Sequence, residues 1–303
     1  FFPTHPLASP AFFSLSRRSL APVCKMLVVT AGVRRFSSAA RQHLNPLSFP
    51  LSSLEIDVTK ELEYFVGSDR MHLPFHLDLG CAKGRYLLNL AERHQDVNFI
   101  GLEIKSFSVK SALQNRDNMG RPNLHYINAN LSAMNDSFLD FLKAFPANGV
   151  QSVSINHPDP CFKSRHEKRR MVNGKLVQHL GLGLDSNTIV YTQTDVQMVH
   201  DYMAAEFNST SLGRQHFQPL TVDELKAPPV WFTEEEANAY PIVEPGHVSL
   251  TKHWDENGEG GTVESIPIKH FFGMPTDHEM FKMDPAEFPS CDGVIWRQGF
   301  RKV

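Results

Sequence analysis

Five short apolar runs, most of them followed by a stretch with helical spacing, set the pattern of the chain between residues 75 and 207. FHLDLG (75–80), NFIGLEI (98–104), NLHYIN (123–128), QSVSIN (151–156) and TIVYTQ (188–193) read as strands. Leu87, Leu88, Leu90 and Ala91 follow the first run on one helical face, and Val109, Ala112, Leu113 and Arg116 follow the second. Phe138, Phe141, Leu142 and Phe145 follow the third, and Val196, Val199, Met203 and Phe207 mark a helix after the fifth. Another helix is expected near Glu55–Phe65. Such alternation implies a mostly parallel sheet with helices on both faces, with ligands bound at the carboxyl ends of its strands. Residues 209–292 break the pattern. Rich in Pro, Gly, His and acids, they read as loops and short helices over one end, including an insertion, before GVIWRQGFR (293–301) closes as a last strand.

Composition narrows the picture. A chain of 303 residues, 41% hydrophobic with 22 Phe, can bury a large core, so wholesale disorder is excluded. No run reaches the roughly 18 to 20 apolar residues that a membrane-spanning helix needs, so no membrane association is expected. Cysteines at 24, 81, 161 and 291 have neither CxxC nor metal-ligand spacing, so neither a disulfide scaffold nor a metal site is expected.

Charge is unevenly placed. Residues 1–54 hold six cations (Arg17, Arg18, Lys25, Arg34, Arg35 and Arg41) and no acid. Removing those six from the chain's 30 Lys and Arg leaves 24 against 33 acids, so the body is acidic and nucleic acid must be met by a local basic cluster. The leader has the composition of an organellar transit peptide. From Met26 it is similar to a mitochondrial presequence, with Arg34-Arg35-Phe36-Ser37-Ser38 resembling a processing site; a mitochondrion is favoured over a plastid. The remainder, 55–303, is expected to be a single domain.

Candidate chemistry sits at the strand ends. Asp78-Leu79-Gly80-Cys81-Ala82-Lys83-Gly84 is a strand-to-helix turn in which Gly80 and Gly84 allow close approach of a ligand. It is not the GxGxxG of dinucleotide sites, and no His–acid pair suits a dehydrogenase. Glu103, with Ile104 beside it, ends the second strand, where a carboxylate can accept from both ribose hydroxyls. Asn128 and Ala129 end the third, where an amide can meet an adenine edge, and Asn156 ends the fourth. Asp78 can receive the amino group of a zwitterionic ligand. The combination points to S-adenosylmethionine.

The most specific stretch runs from Asn156 to Val172 and contains Pro158-Asp159-Pro160. Two prolines fix the backbone around Asp159, and five cations with one acid follow between Lys163 and Arg170, enough to neutralise several phosphates. PDPxxKxRHxKRRMV resembles the signature of the tRNA (guanine(46)-N7)-methyltransferase family, bacterial type. The resemblance covers about Pro74–Phe207, with a weaker return at Gly293–Phe300. It implies a Rossmann-like class I S-adenosylmethionine-dependent methyltransferase fold with seven strands, tRNA as substrate, and action as monomer or homodimer without an obligatory protein partner. It also implies Asp159 as catalytic residue and Lys163, Arg165, Lys168, Arg169 and Arg170 as phosphate contacts, with Asp195 of the Thr194-Asp195 pair as a substrate-side acid.

Departures from the family are informative. Cys161 and then Phe162 stand where an aromatic usually follows PDP, and Asn156-His157 replace an apolar pair. The family's late T-x-x-E motif has two imperfect counterparts, Thr251 with Trp254 at the acid position, which is preferred, and Thr233 with Glu236, which sits early in the chain. An RNA-binding protein that has lost catalysis and an exocyclic-amine methyltransferase are the alternatives. Asp159 between the prolines and the basic run argue against the second.

Overall fold

The computed structural model describes residues 44–48, 54–133, 136–239, 248–253, 262–266, 270–273, 276 and 294–303. The five apolar runs are strands β1 (Phe75–Leu79), β2 (Asn98–Glu103), β3 (Leu124–Asn128), β4 (Val150–Asn156) and β5 (Ile189–Thr194). They pair in parallel in the order β3-β2-β1-β4-β5. The chain therefore moves outward from β1 to β3 and returns to lay β4 on the other side of β1. That reversal opens a crevice at the carboxyl ends of β1 and β4.

Helices α1 (Val58–Val66), α2 (Arg85–Arg93), α3 (Ser106–Met119), α4 (Ser137–Lys143), α5 (Gly174–Gly183) and α6 (Gln197–Asn208) flank the sheet. On one face Phe75, Leu77 and Leu79 of β1 pack in a cluster with Phe141, Leu180 and Phe207. On the other, Phe99 and Tyr126 share a cluster with Leu87, Leu90 and Val109. Burying both faces explains why β1 and β2 are buried along their whole length. Helix α5 was not legible in the pattern, because Gly181 and Gly183 make its end read as a turn. It is nonetheless capped by Asn173, whose side chain accepts from Lys175 N and Leu176 N.

Two expectations are corrected. The sheet has nine strands rather than seven. The segment read as loops and short helices supplies three of them, β6 (Phe217–Pro219), β7 (Val248–His253) and β8 (Thr262–Ile266), besides α7 (Ser211–His216), α8 (Val222–Lys226) and α9 (Glu234–Ala239). Strand β9 (Val294–Lys302) runs antiparallel to β5, β7 lies parallel to β9, and β8 folds back on β7 as a hairpin. The seven-strand frame is thus β3-β2-β1-β4-β5-β9-β7, with β8 and the short β6 added at its flank. FQP is only three residues long, and VSLTKH and TVESI mix polar with apolar positions, so the strand signal is weak in the sequence. Second, residues 44–48, placed above in the leader, lie on the body: Pro46 is buried and its carbonyl accepts from Asn130 Nδ2 at 2.7 Å. Residues 1–43 and 49–53, Trp254 and most of 257–292 lie outside the described residues. Among the described residues no helix is long and apolar enough to cross a membrane, and no His, Cys, Asp and Glu side chains group as a metal site.

Candidate active site

The turn after β1 is built on left-handed backbone. Gly80 has φ 88°, Ala82 φ 50° and Gly84 φ 72°. A Cβ on Gly84 would fall 2.4 Å from a Tyr126 ring carbon, while Tyr126 donates its hydroxyl to the Gly84 carbonyl at 2.6 Å. The Glu103 carboxylate ties this turn to the start of α3, accepting from Ala82 N at 3.0 Å and from Lys105 N at 2.9 Å. Each carboxylate oxygen keeps a further lone pair for a ligand hydroxyl.

Behind the turn runs a buried polar chain. Asp78 lies opposite Ser154 in the β1–β4 register, and its Oδ1 accepts from Ser154 Oγ at 2.6 Å and from Asn156 Nδ2 at 2.9 Å. Burial pushes the Asp78 carboxyl up to about 6, against the pull of those two hydrogen bonds, and neighbouring Glu103 adds to the rise. His76 contacts Ser152 Oγ through Nδ1 at 2.8 Å and Ser154 Oγ through Nε2 at 2.9 Å. Burial lowers its pKa to about 3, so the ring is neutral. With the single Ser154 hydroxyl proton given to Asp78, His76 must donate from Nε2 and accept from Ser152 at Nδ1. Asn156 Oδ1 is buried without a hydrogen-bond partner at the end of this chain.

The loop after β4 is also strained and tethered. His157 (φ 47°) and Cys161 (φ 45°) flank Pro158-Asp159-Pro160 with left-handed backbone that side chains other than glycine rarely adopt. His157 N donates to Gln193 O at 2.8 Å, and its Nδ1 lies 3.5 Å from Asp195 Oδ1. Asp159 Oδ1 accepts from Cys161 N at 3.2 Å. Arg170 Nε reaches the Pro160 carbonyl at 3.4 Å, while its guanidinium lies 4.2 Å from the Tyr202 ring centroid. The glycine turn and this loop face one cavity of about 590 Å³. A smaller cavity of about 420 Å³, between Val150 and Trp231, holds none of the candidate site residues read from the sequence.

A family model described as "Putative methyltransferase" matches residues 72–242, more than half of the chain. Curated relatives carry the name tRNA (guanine-N(7)-)-methyltransferase. That of Nostoc sp. is 38% identical over 167 residues, covering 55% of this chain and 73% of the relative. That of Microcystis aeruginosa is 34% identical over 215 residues, covering 69% of this chain and 95% of the relative. The chain belongs to the tRNA (guanine-N7)-methyltransferase family.

The cavity gathers much of what a methyltransferase of this family was expected to use. Gly80, Glu103, Ile104, Ala129, Asn156, Asp159, Arg169 and Asp195 line it, and Asp78 lies just beneath, 3% exposed and bonded to Asn156. These residues fit S-adenosylmethionine. The buried Asp78 carboxylate and the Asn156 Oδ1 would suit the ammonium of its methionyl end, and the Glu103 carboxylate would suit its ribose hydroxyls. The structure places other residues differently. Asn128 spends both amide hydrogens on the Glu103 and Ile104 carbonyls (2.9 and 3.0 Å), clamping β2 to β3 rather than facing the cavity. Gly84 packs under Tyr126, outside the lining. Lys163, Arg165 and Lys168 are exposed on the 3-10 turn Ser164–Arg169 and just before it, whereas Arg170 turns inward onto Tyr202 and anchors the loop. Thr251 is fully buried on β7 and donates to Gln298 Oε1 at 2.8 Å. Thr233 and Glu236 form a capping box at the start of α9, with Glu236 N donating to Thr233 Oγ1 and Thr233 N to Glu236 Oε2. Neither threonine lines the cleft.

Lining residues that sequence reasoning did not single out include Lys105, Asn130 and Met171, whereas His157 and Phe162 stood out only as departures from the family pattern. Lys105 and Asn130 each follow a strand end by two positions, so reading two residues past β2 and β3 would have found them. Leu44 and Pro46, which also line the cleft, come from the segment set aside as leader and carried no signal.

Proposed function

We propose that this chain transfers the methyl group of S-adenosylmethionine to N7 of a guanine in tRNA, at position 46 of the variable loop. One observation carries the reading: the loop bearing Asp159 shares a single cavity with the turn and strand ends that suit the cofactor, and the exposed cations Lys163, Arg165 and Lys168 follow on the same segment. S-adenosylmethionine supplies an activated methyl group on a sulfonium. Guanine N7 already carries a lone pair, so no base has to remove a proton before attack. The residues' work is therefore to hold the purine in line, exclude water and offset the positive charge the purine acquires. Asp159, rigidly presented between two prolines, orients the base and balances that charge. Lys163, Arg165, Lys168 and Arg169 take phosphates, and Asp195, held near His157, bounds the substrate side.

The RHEKRR block supports action without an obligatory protein partner, as monomer or homodimer. The acid-free composition of the leader supports an organellar address, the mitochondrion first. Imaging residues 1–43 fused to a fluorescent protein tests that address, and plastid or cytosolic signal overturns it. The activity is tested by incubating the chain with unmodified tRNA and methyl-labelled cofactor, then cleaving at N7-methylguanosine. Label at position 46 supports the reading, and label on exocyclic nitrogen, or none, refutes it.

A further inference from the structure

Phe162 is 64% exposed, and among the described residues it alone of the large exposed apolar side chains lines the cleft. An isolated exposed hydrophobe needs no explanation elsewhere on a protein surface. This one stands on backbone fixed at considerable cost. Cys161 before it is held at φ 45°, its N–H bonded to Asp159, and Arg170 secures the Pro160 carbonyl from the other side. The loop thus presents, in order, a carboxylate, an aromatic face and the first phosphate-seeking cation, Lys163.

We propose that Phe162 is the face on which the target guanine stacks, and that it grips the purine more tightly as methyl transfer makes it a cation. The inference rests on the function proposed above. As the N7 lone pair forms the new N–C bond, the S–C bond breaks and its electrons return to sulfur. The positive charge passes from the sulfonium to the purine, and no proton is released. The face of an aromatic ring attracts a cation more than a neutral ring. Contact with Phe162 therefore strengthens along the reaction and favours the transition state over bound substrate. A leucine of similar bulk would fill the same space without that gain.

Turnover by wild type and by Phe162→Ala, Phe162→Leu and Phe162→Tyr is measured on unmodified tRNA, with urea unfolding confirming that each variant is folded. In parallel, binding of 7-methylguanosine monophosphate and of guanosine monophosphate to the same proteins is compared by NMR. Base–aromatic stacking predicts kcat/KM roughly 5- to 150-fold lower for Phe162→Ala. Phe162→Leu should lose kcat, Phe162→Tyr should keep it, and the wild-type preference for the methylated nucleotide should vanish in Phe162→Leu. Leu or Ala variants within twofold of wild type would overturn the role of Phe162 while leaving the proposed function intact. If wild type yields no methylated guanine, the function fails instead. The nucleotide comparison then decides for Phe162, a preference retained in Phe162→Leu overturning it and a preference lost supporting it.

Discussion

Asp78→Asn separates binding from stability, because the carboxylate that suits the cofactor costs the folded chain energy. Burial raises its pKa from the ordinary 3.8 to about 6. At 1.36 kcal/mol per pKa unit that difference is about 3 kcal/mol. The folded-state pKa lies above the unfolded one, so this group favours folding fully below 3.8, and that contribution is lost as pH rises through about 6. An asparagine keeps an oxygen to accept from Ser154 and Asn156, and its amide can donate to the open Asn156 Oδ1. The ligand-free variant should thus be more stable than wild type by about 3 kcal/mol at pH 7, shrinking to about half of that at pH 5 by linkage. Its affinity for S-adenosylmethionine should fall by about 10- to 150-fold, the range for one charged hydrogen bond. Urea unfolding at the two pH values and calorimetric titration with the cofactor measure both quantities. A variant less stable than wild type at pH 7, or an advantage that does not shrink on acidification, refutes the reasoning.

Gly84→Ala should destabilise more than Gly80→Ala in urea, since both have positive φ but only Gly84 would drive a Cβ into the Tyr126 ring, at 2.4 Å against 3.6 Å from Met171; a cost of about 1–3 kcal/mol is expected from overpacking alone. Thr233→Ala should cost about 1 kcal/mol through loss of the α9 cap while leaving tRNA methylation unchanged, and an activity loss without a stability loss would restore Thr233 as a substrate residue. Replacing Lys163, Arg165 and Lys168 by glutamine should weaken tRNA binding and flatten its salt dependence by about one unit of slope for each phosphate no longer neutralised. Filter binding across a salt series reads this, and an unchanged slope would move the tRNA site elsewhere.

The frame of the fold was legible because buried parallel strands must be almost wholly apolar. FHLDL, NFIGLE and LHYIN therefore stand out from the polar turns between them. Strands β6 to β8 did not stand out, because at the flank of the sheet they mix polar with apolar positions and the apolar signal is thin. In the candidate site, the residues at the strand ends were the readable ones, since Asp78, Gly80 and Glu103 interrupt or end apolar runs. Asn128 was legible as a polar strand end but not in its direction, because which way an amide turns is decided by the carbonyls beside it. Thr251 and Thr233 show the same limit: one threonine hydroxyl is consumed by a cross-strand glutamine and the other by a helix cap, and neither partner is evident from spacing alone. Arg170 looked like its neighbours in a basic run, and its contacts with Tyr202 on α6 and with the Pro160 carbonyl are not evident from spacing.

The central claim is that Asp159 and the cofactor turn act on one guanine held between them. It is tested most directly by nucleoside mass spectrometry of tRNA incubated with S-adenosylmethionine and either the wild-type chain or Asp159→Ala. The account predicts 7-methylguanosine with the wild type and almost none with the variant, at nearly equal affinity for tRNA. Equal product from both proteins would contradict it.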